Sequence, residues 1–140
     1  MEQGQTLPMK LILLVEDDPL RAKKIQACIP GGARCIWARS AGVAIGVLKR
    51  DTFVCVLLDH DLVEKGPYIS GLNGQAVAEA ICETQSRKTC RIFIHSQNSA
   101  GGTAMRQLLS EAGFDVERCS WCDEASVILR EWLEASLLEE

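Results

Sequence analysis

The sequence predicts a single α/β domain built on a doubly wound, five-stranded parallel sheet. Short apolar runs alternate with stretches of helical periodicity five times along the chain. The apolar runs are continuous, which is typical of parallel strands that helices cover on both faces. The length of 140 residues fits one domain. The right-handed crossover rule leaves few topologies, and we predict the flavodoxin-like strand order 2-1-3-4-5.

The elements follow in a regular order along the chain. Strands are predicted at residues 11–15, 35–38, 53–58 and 92–94, with a weak fifth strand near 114–119. The first helix begins at Pro19 and is expected to reach about Ile29, where Pro30-Gly31-Gly32 ends it. A long loop containing Gly66 and Pro67 precedes the third helix. We expect residues 1–8 and 135–140 to be frayed ends.

Charge and composition exclude several function classes. The net charge of −4 argues against bulk DNA binding, which needs a positive surface, but it is compatible with a small substrate or a short RNA end. No apolar run approaches the roughly 18 to 20 residues needed to span a membrane, and the first residues lack a secretion-signal pattern. The seven cysteines fall mostly in apolar runs, so we expect small buried thiols in a reducing, cytoplasmic setting.

Polar clusters follow three of the predicted strands directly. Glu16-Asp17-Asp18 ends the first strand, Asp59-His60-Asp61 the third, and His95-Ser96-Gln97-Asn98 the fourth. These strands are neighbours in the predicted order, and ligands bind at the carboxyl ends of such strands. The three clusters should therefore meet in one cleft, which would hold both histidines of the chain.

The acidic residues of these clusters predict a divalent cation site. Glu16, Asp17 and Asp59 would lie so close together that they could not all stay ionised without a cation, and carboxylates suit a hard ion such as Mg²⁺. The simpler alternative is that Asp17 or Asp18 only caps the first helix.

The stretch SQNSAGG, residues 96–102, predicts a phosphate-binding turn. Its small residues would let backbone N–H groups and the helix N-terminus approach a phosphate, with Ser96, Asn98, Gly101 and Gly102 as the contacts. The alternative is an ordinary capped loop.

The two histidines suggest proton transfer at that phosphate. His60 and His95 would act as general base and general acid, because imidazoles titrate near neutral pH. Asp59 offers a different scheme, as a carboxylate nucleophile that forms an acyl phosphate with metal assistance. His60 could also be an ordinary solvated loop residue.

Two motifs resemble response-regulator receiver domains. LILLVEDDPL (11–20) is similar to their opening, and VLLDHDL (56–62) places Asp59 where they carry the phospho-accepting aspartate. The resemblance implies that Glu16 and Asp17 form the metal-binding acidic pair and that Asp61 falls where a backbone carbonyl reaches the metal. It implies further that Ser96 contacts the phosphoryl group and that a histidine kinase is the partner.

The chain departs from that pattern in its fifth strand. Receivers end this strand in Lys-Pro, whereas this chain has DVERCSWCD (115–123), with Arg118 as the possible substitute. DHDL, HSQNSAGG and MRQLL are similar to cyclic-phosphate-processing receiver domains. That resemblance implies that both histidines belong to the site and that the ligand is a cyclic phosphate of a nucleotide or an RNA end.

Three hypotheses remain from the sequence. The first is a metal-assisted cyclic phosphodiesterase, or a binder of cyclic phosphates. The second is a single-domain response regulator phosphorylated on Asp59. The third is a degenerate receiver that serves only as an interaction module. The histidines favour the first hypothesis, and the missing lysine argues against the second.

Overall fold

The computed structural model describes residues 10–62 and 71–138, and it has the predicted sheet. Five parallel strands lie in the order β2-β1-β3-β4-β5, which confirms the predicted topology. The strands are β1 (Lys10–Val15), β2 (Ala33–Ala38), β3 (Cys55–Leu58), β4 (Arg91–Ile94) and β5 (Asp115–Arg118).

Four helices connect the strands, a fifth follows β5, and together they cover both faces of the sheet. They are α1 (Pro19–Gln26), α2 (Ala41–Arg50), α3 (Gly74–Thr84), α4 (Ser99–Glu111) and α5 (Ala125–Leu138). The first four begin at polar caps whose side chains accept a backbone N–H of the first turn. These caps are Asp18, Ser40, Asn73 and Asn98.

Alternate residues of the central strands enter two separate cores. In β1, Ile12 and Leu14 pack with α1 and α5, whereas Leu13 and Val15 pack on the side of α2, α3 and α4. The register aligns Val15 with Leu58 and Leu58 with Ile94. The residues that follow these three therefore form a row directed toward the face covered by α1 and α5.

Several element ends differ from the prediction. Helix α1 stops at Gln26 rather than near Ile29, because the N–H groups of Cys28 and Ile29 each bond a carbonyl three residues back and tighten the chain ahead of Pro30. Residues 135–138 are helical rather than frayed. Lys10 donates a hydrogen bond to the carbonyl of Leu137, which satisfies one of the last carbonyls of α5.

Three further expectations concern the third strand, a loop and membrane helices. The third strand starts at Cys55, two residues later than predicted. The predicted loop with Gly66 and Pro67 lies outside the described residues. Within the described ranges, every helix is too short or too polar to cross a bilayer.

Candidate functional site

Glu16, Asp59 and His95 form the row at the carboxyl ends of β1, β3 and β4. All three are buried, with 0%, 4% and 1% of their surface exposed. One ligand atom of each lies within 4.8 Å of the others. The structure thus brings together side chains that are up to 79 residues apart in sequence.

A buried hydrogen bond joins the two ends of this row. His95 Nε2 lies 2.9 Å from Glu16 Oε1. The other carboxylate oxygen of Glu16 accepts the backbone N–H of Asp18 at 3.0 Å and lies 3.3 Å from Arg21 Nη1. Burial raises the pKa of Glu16, but the hydrogen bond and charge of His95, the Asp18 N–H and Arg21 together outweigh burial, so its pKa is lowered overall.

Asp59 is less well compensated than Glu16. Its Oδ1 accepts the backbone N–H of His60 at 2.8 Å, and its Oδ2 lies 3.8 Å from Arg21 Nη1. Burial raises the pKa of Asp59, and the neighbouring Glu16 carboxylate raises it further. His95, the His60 N–H and Arg21 lower it only in part, so the net pKa is above its usual value.

An acidic cleft of about 280 Å³ opens beside Asp59. Its lining residues are Asp17, Asp18, Arg21, Asp59, Asp61 and Gln97. Within the part of the chain that the structure describes, Arg21 is the one cationic side chain of this lining. With four carboxylates against one guanidinium, the lining of the cleft is rich in negative charge.

A second hydrogen-bonded group lies at the lip of the cleft. His60 Nδ1 and Asn98 Nδ2 each lie 2.9 Å from Asp61 Oδ1. Because an ionised carboxylate only accepts hydrogen bonds, His60 Nδ1 is the donor to Asp61 when Asp61 is ionised, and Asn98 Nδ2 lies 3.3 Å from the same nitrogen. The two hydrogen bonds, from His60 first and then Asn98, lower the pKa of Asp61.

His95 does not occupy the position that the proton-transfer scheme requires. Its side chain lies below the cleft with 1% of its surface exposed, and its ring meets Trp121 edge-on at a centroid distance of 6.4 Å. Its Nε2 is engaged by Glu16, and its Nδ1 is buried without a hydrogen-bond partner among the described residues. The two histidines therefore do not face one ligand, because His95 follows the strand alternation into the core.

The predicted phosphate contacts are also engaged within the protein. Ser96 Oγ accepts the N–H of Asn98, and Asn98 Oδ1 in turn accepts the N–H of Gly101 at 2.8 Å. The N–H of Gly102 bonds the carbonyl of Asn98 in the first turn of α4. The stretch is therefore a capped helix start, and the N–H groups of Asn98, Gly101 and Gly102 are bonded within it.

Gly101 and Gly102 are small for a reason of packing. A Cβ at Gly101 would lie 2.4 Å from the His60 ring, and a Cβ at Gly102 would lie 2.4 Å from Arg118 Nε. Gly74 has the same role beneath the third strand, since its Cβ would lie 2.2 Å from the carbonyl oxygen of Asp59. Gly74 thus permits the close approach of α3 to the Asp59-His60 backbone, whereas Gly101 and Gly102 leave room beside α4 for the His60 and Arg118 side chains.

Arg118 does not replace the missing lysine. It aligns with Ile94 and so belongs to the face covered by α2, α3 and α4, opposite to the face toward which Asp59 is directed. Its Nη2 donates to the carbonyl of Asn98 at 3.3 Å. Cys119, not Arg118, continues the row of Glu16, Asp59 and His95 into β5.

Two site residues were missed by the sequence analysis. Arg21 links Glu16 and Asp59 from α1, and its position three residues after the capping Asp18 was a signal that could have revealed it. Trp121 packs against His95, and its carbonyl accepts a hydrogen bond from Gln97 at 2.7 Å. Trp121 lies in a loop without periodicity, so the sequence carried no comparable signal.

Comparison with protein families identifies one match. The model of the family described as "Cyclic-phosphate processing Receiver domain" matches residues 11–111. No curated protein matches the chain.

Solved structures of receiver domains share the fold. A beryllofluoride-activated DrrB receiver domain is 20% identical with a TM-score of 0.69, and the match covers 94% of this chain and all of that one. A CheY-like receiver from Methanospirillum hungatei is 17% identical, with a TM-score of 0.67 and coverage of 95% and 100%. A response regulator from Burkholderia pseudomallei, solved with a phosphorylated aspartic acid, a calcium ion and citrate, is 15% identical with a TM-score of 0.63; the match covers 92% of this chain and 73% of that one. At these identities the likeness establishes the fold alone.

The pKa shifts of two aspartates predict opposite effects on stability. A raised pKa means that the folded state disfavours the charged form, so Asp59→Asn should stabilise the metal-free protein at pH 7, by about 0.5–2 kcal/mol. This gain should vanish as the pH falls through the raised pKa toward 3.8, where Asp59 becomes protonated. Thermal unfolding with a chelator present, between pH 3 and pH 8, measures it.

The control is Asp61→Asn, because Asp61 has a lowered pKa. Its charge contributes stability above its ordinary pKa of 3.8, and this contribution is lost as the pH falls through the lowered value. Asp61→Asn should therefore lower the melting temperature slightly at pH 7, since the side chain is 63% exposed. A lower melting temperature for Asp59→Asn in the same buffer would contradict the account of Asp59.

Proposed function

The chain belongs to the cyclic-phosphate-processing receiver domains, and we propose that its acidic cleft binds a divalent cation beside Asp59 and hydrolyses a cyclic phosphate ester there. The observation that carries the proposal is the position of Asp61. This residue lines the acidic cleft and also accepts the hydrogen bond of His60 Nδ1. The proposed cation site and the imidazole are thus linked through Asp61, while the His60 ring itself packs beside Gly101 of α4.

The donor set fits a hard divalent cation such as Mg²⁺. The Asp17 and Asp59 carboxylates belong to the cleft lining, and carboxylate oxygens are the ligands that such ions prefer. Glu16 lies behind them, with its oxygens bonded to His95 and the Asp18 N–H, so we assign it to orienting the site rather than to direct ligation. The raised pKa of Asp59 is consistent with this assignment, because a cation bound beside the carboxylate would stabilise its charged form.

His60 is the candidate general base. When bound, a divalent cation lowers the pKa of a water molecule and offsets the charge of the phosphate. The water oxygen would bond to phosphorus while its proton passes to His60 Nε2, and the bond from phosphorus to one ribose oxygen would break. The departing oxygen would then take the proton back from the imidazolium, which leaves a ring-opened phosphomonoester and neutral His60. The hydrogen bond to Asp61 supports this role, because it would hold the ring in the tautomer that this step needs.

Phosphorylation of Asp59 by a histidine kinase is the second candidate function. The place of Asp59 at the end of β3 on the cleft wall supports it, as do the phosphorylated aspartic acid and the calcium ion of the Burkholderia pseudomallei relative. Against it stands the fifth strand, where Arg118 turns to the opposite face and Cys119 continues the row. The geometry therefore favours hydrolysis over a stable phosphoaspartate.

Cation binding is the first test. Titration calorimetry with Mg²⁺ and Mn²⁺ should show one site in the wild-type protein, and Asp59→Asn should weaken it about 10-fold or more because a charged ligand is lost. Asp115→Asn removes the same charge at the opposite end of the sheet and should bind as the wild type does. Equal affinity of both variants would contradict a cation site at Asp59.

Turnover is the second test. With Mg²⁺ or Mn²⁺ present, the wild-type protein should convert 2′,3′-cyclic AMP to a monophosphate. His60→Gln should lower kcat by about 10²- to 10⁴-fold while cation affinity stays unchanged. Asp61→Asn keeps the imidazole but weakens its orientation, so it should show an intermediate loss. Lack of turnover by the wild type, or full turnover by His60→Gln, would rule out this mechanism.

The second candidate function has its own experiment. Incubation with acetyl phosphate and Mg²⁺ should give a mass increase of one phosphoryl group only if Asp59 accepts it, and Asp59→Asn should remove that increase. From the missing ammonium we expect no stable adduct on the wild-type protein. A long-lived adduct dependent on Asp59, together with no hydrolysis of cyclic phosphates, would favour the signalling function instead.

A further inference from the structure

The guanidinium of Arg21 lies among three carboxylates at the mouth of the site. Its Nη1 is 3.3 Å from Glu16 Oε2 and 3.8 Å from Asp59 Oδ2, and its Nη2 is 4.0 Å from Asp18 Oδ2. None of these separations is a short bidentate pair, which would be the strong form of an arginine–carboxylate contact. One positive charge is shared loosely among three negative ones.

Arg21 is able to move without unfolding its helix. It is the third residue of α1, and 26% of its side chain is exposed where it lines the cleft. The apolar face of α1 is held by Ala22 and Ile25, which are fully buried, so the helix does not depend on the arginine. The guanidinium can therefore turn toward the cleft while α1 stays in place.

A divalent cation at Asp59 would change the partners of Arg21. The ion would supply the positive charge that Asp59 lacks and would repel the guanidinium at such short range. An arginine released from Asp59 would point into the cleft, where its planar set of N–H donors matches two oxygens of a phosphate.

We propose that Arg21 is the phosphate-binding residue of this site, and that it changes from a counter-ion of Glu16 and Asp59 to a ligand of the phosphate when a divalent cation binds. The inference rests on the proposed cation site. The positive charge at the phosphate would then come from α1 and not from β5, since Arg118 is bonded to Asn98 on the opposite face of the sheet. The ligand class is a phosphate ester or free phosphate with at least two unesterified oxygens.

The experiment separates cation binding from phosphate binding in one set of variants. Calorimetry measures first Mn²⁺ alone, and then inorganic phosphate and adenosine 3′-monophosphate, which the proposed hydrolysis does not consume, in saturating Mn²⁺. Arg21→Gln should bind Mn²⁺ as tightly as the wild type or more tightly, and it should lose about 10-fold or more in affinity for both phosphates. Arg21→Lys keeps the charge without the planar donors and should fall between the two.

Lys23→Gln is the matched control. It removes one positive charge from the same helix at an exposed position outside the cleft lining, so it should bind both phosphates as the wild type does. If Arg21→Gln binds phosphate as the wild type does, the proposed role of Arg21 is wrong, but the proposed cation site is not affected. Loss of Mn²⁺ binding in Arg21→Gln would overturn the role of Arg21 as well, because the arginine would then be holding the carboxylates in place. If the wild-type protein binds no Mn²⁺, the cation site fails and this inference fails with it.

Discussion

The buried hydrogen bond between Glu16 and His95 is the constraint on which the site depends. It joins the first and last residues of the row Glu16, Asp59 and His95, with 2.9 Å between His95 Nε2 and Glu16 Oε1. Both side chains are essentially inaccessible to water. Removing one partner would leave the other buried and unsatisfied, which is far more costly than the net gain from the pair itself. The pair therefore acts less as a source of stability than as a restraint, because it fixes Oε1 of Glu16 while the Asp18 N–H and Arg21 hold Oε2.

That restraint determines how Asp59 behaves. Glu16 is held ionised directly beside it, and the like charge adds to burial in raising the pKa of Asp59. Trp37 reinforces the arrangement by donating its indole N–H to the Glu16 carbonyl at 2.8 Å, and Trp121 closes the other end against His95. The protein thus tolerates an unfavourable carboxylate at the edge of its core, which is typical of a residue retained for binding or chemistry.

The sequence was sufficient for the fold and for the convergence of the three polar clusters at one edge of the sheet, but not for the direction of each side chain. Continuous apolar strands and crossover handedness predicted the strand order, and the order alone brought the clusters at Glu16, Asp59 and His95 to one edge. Whether a residue at that edge faces the cleft or the core depends on strand register, which the sequence does not state. The register aligns Leu58 with Ile94, so Asp59 and His95 point to the same face and His95 lies under α1 and α5. The long side chain of Arg21 was harder still to predict, since its contacts depend on rotamers and not on periodicity.

The same register explains why the positively charged side chain next to Asp59 comes from a helix and not from β5. A residue of β5 reaches Asp59 only if it lies in the row of Glu16 and His95, and there the chain has Cys119. The arginine one position earlier is directed to α4, where Gly102 leaves room for it and the Asn98 carbonyl accepts its hydrogen bond. A displacement of one residue in a strand reverses the face of the side chain, so no adjustment of rotamers returns Arg118 to the cleft. Among the described residues that line the cleft, positive charge comes from Arg21 on α1. The positive charge thus lies beside the acidic residues that follow β1, and under the proposed role of Arg21 the binding of a metal ion and of a phosphate would be coupled through this one side chain.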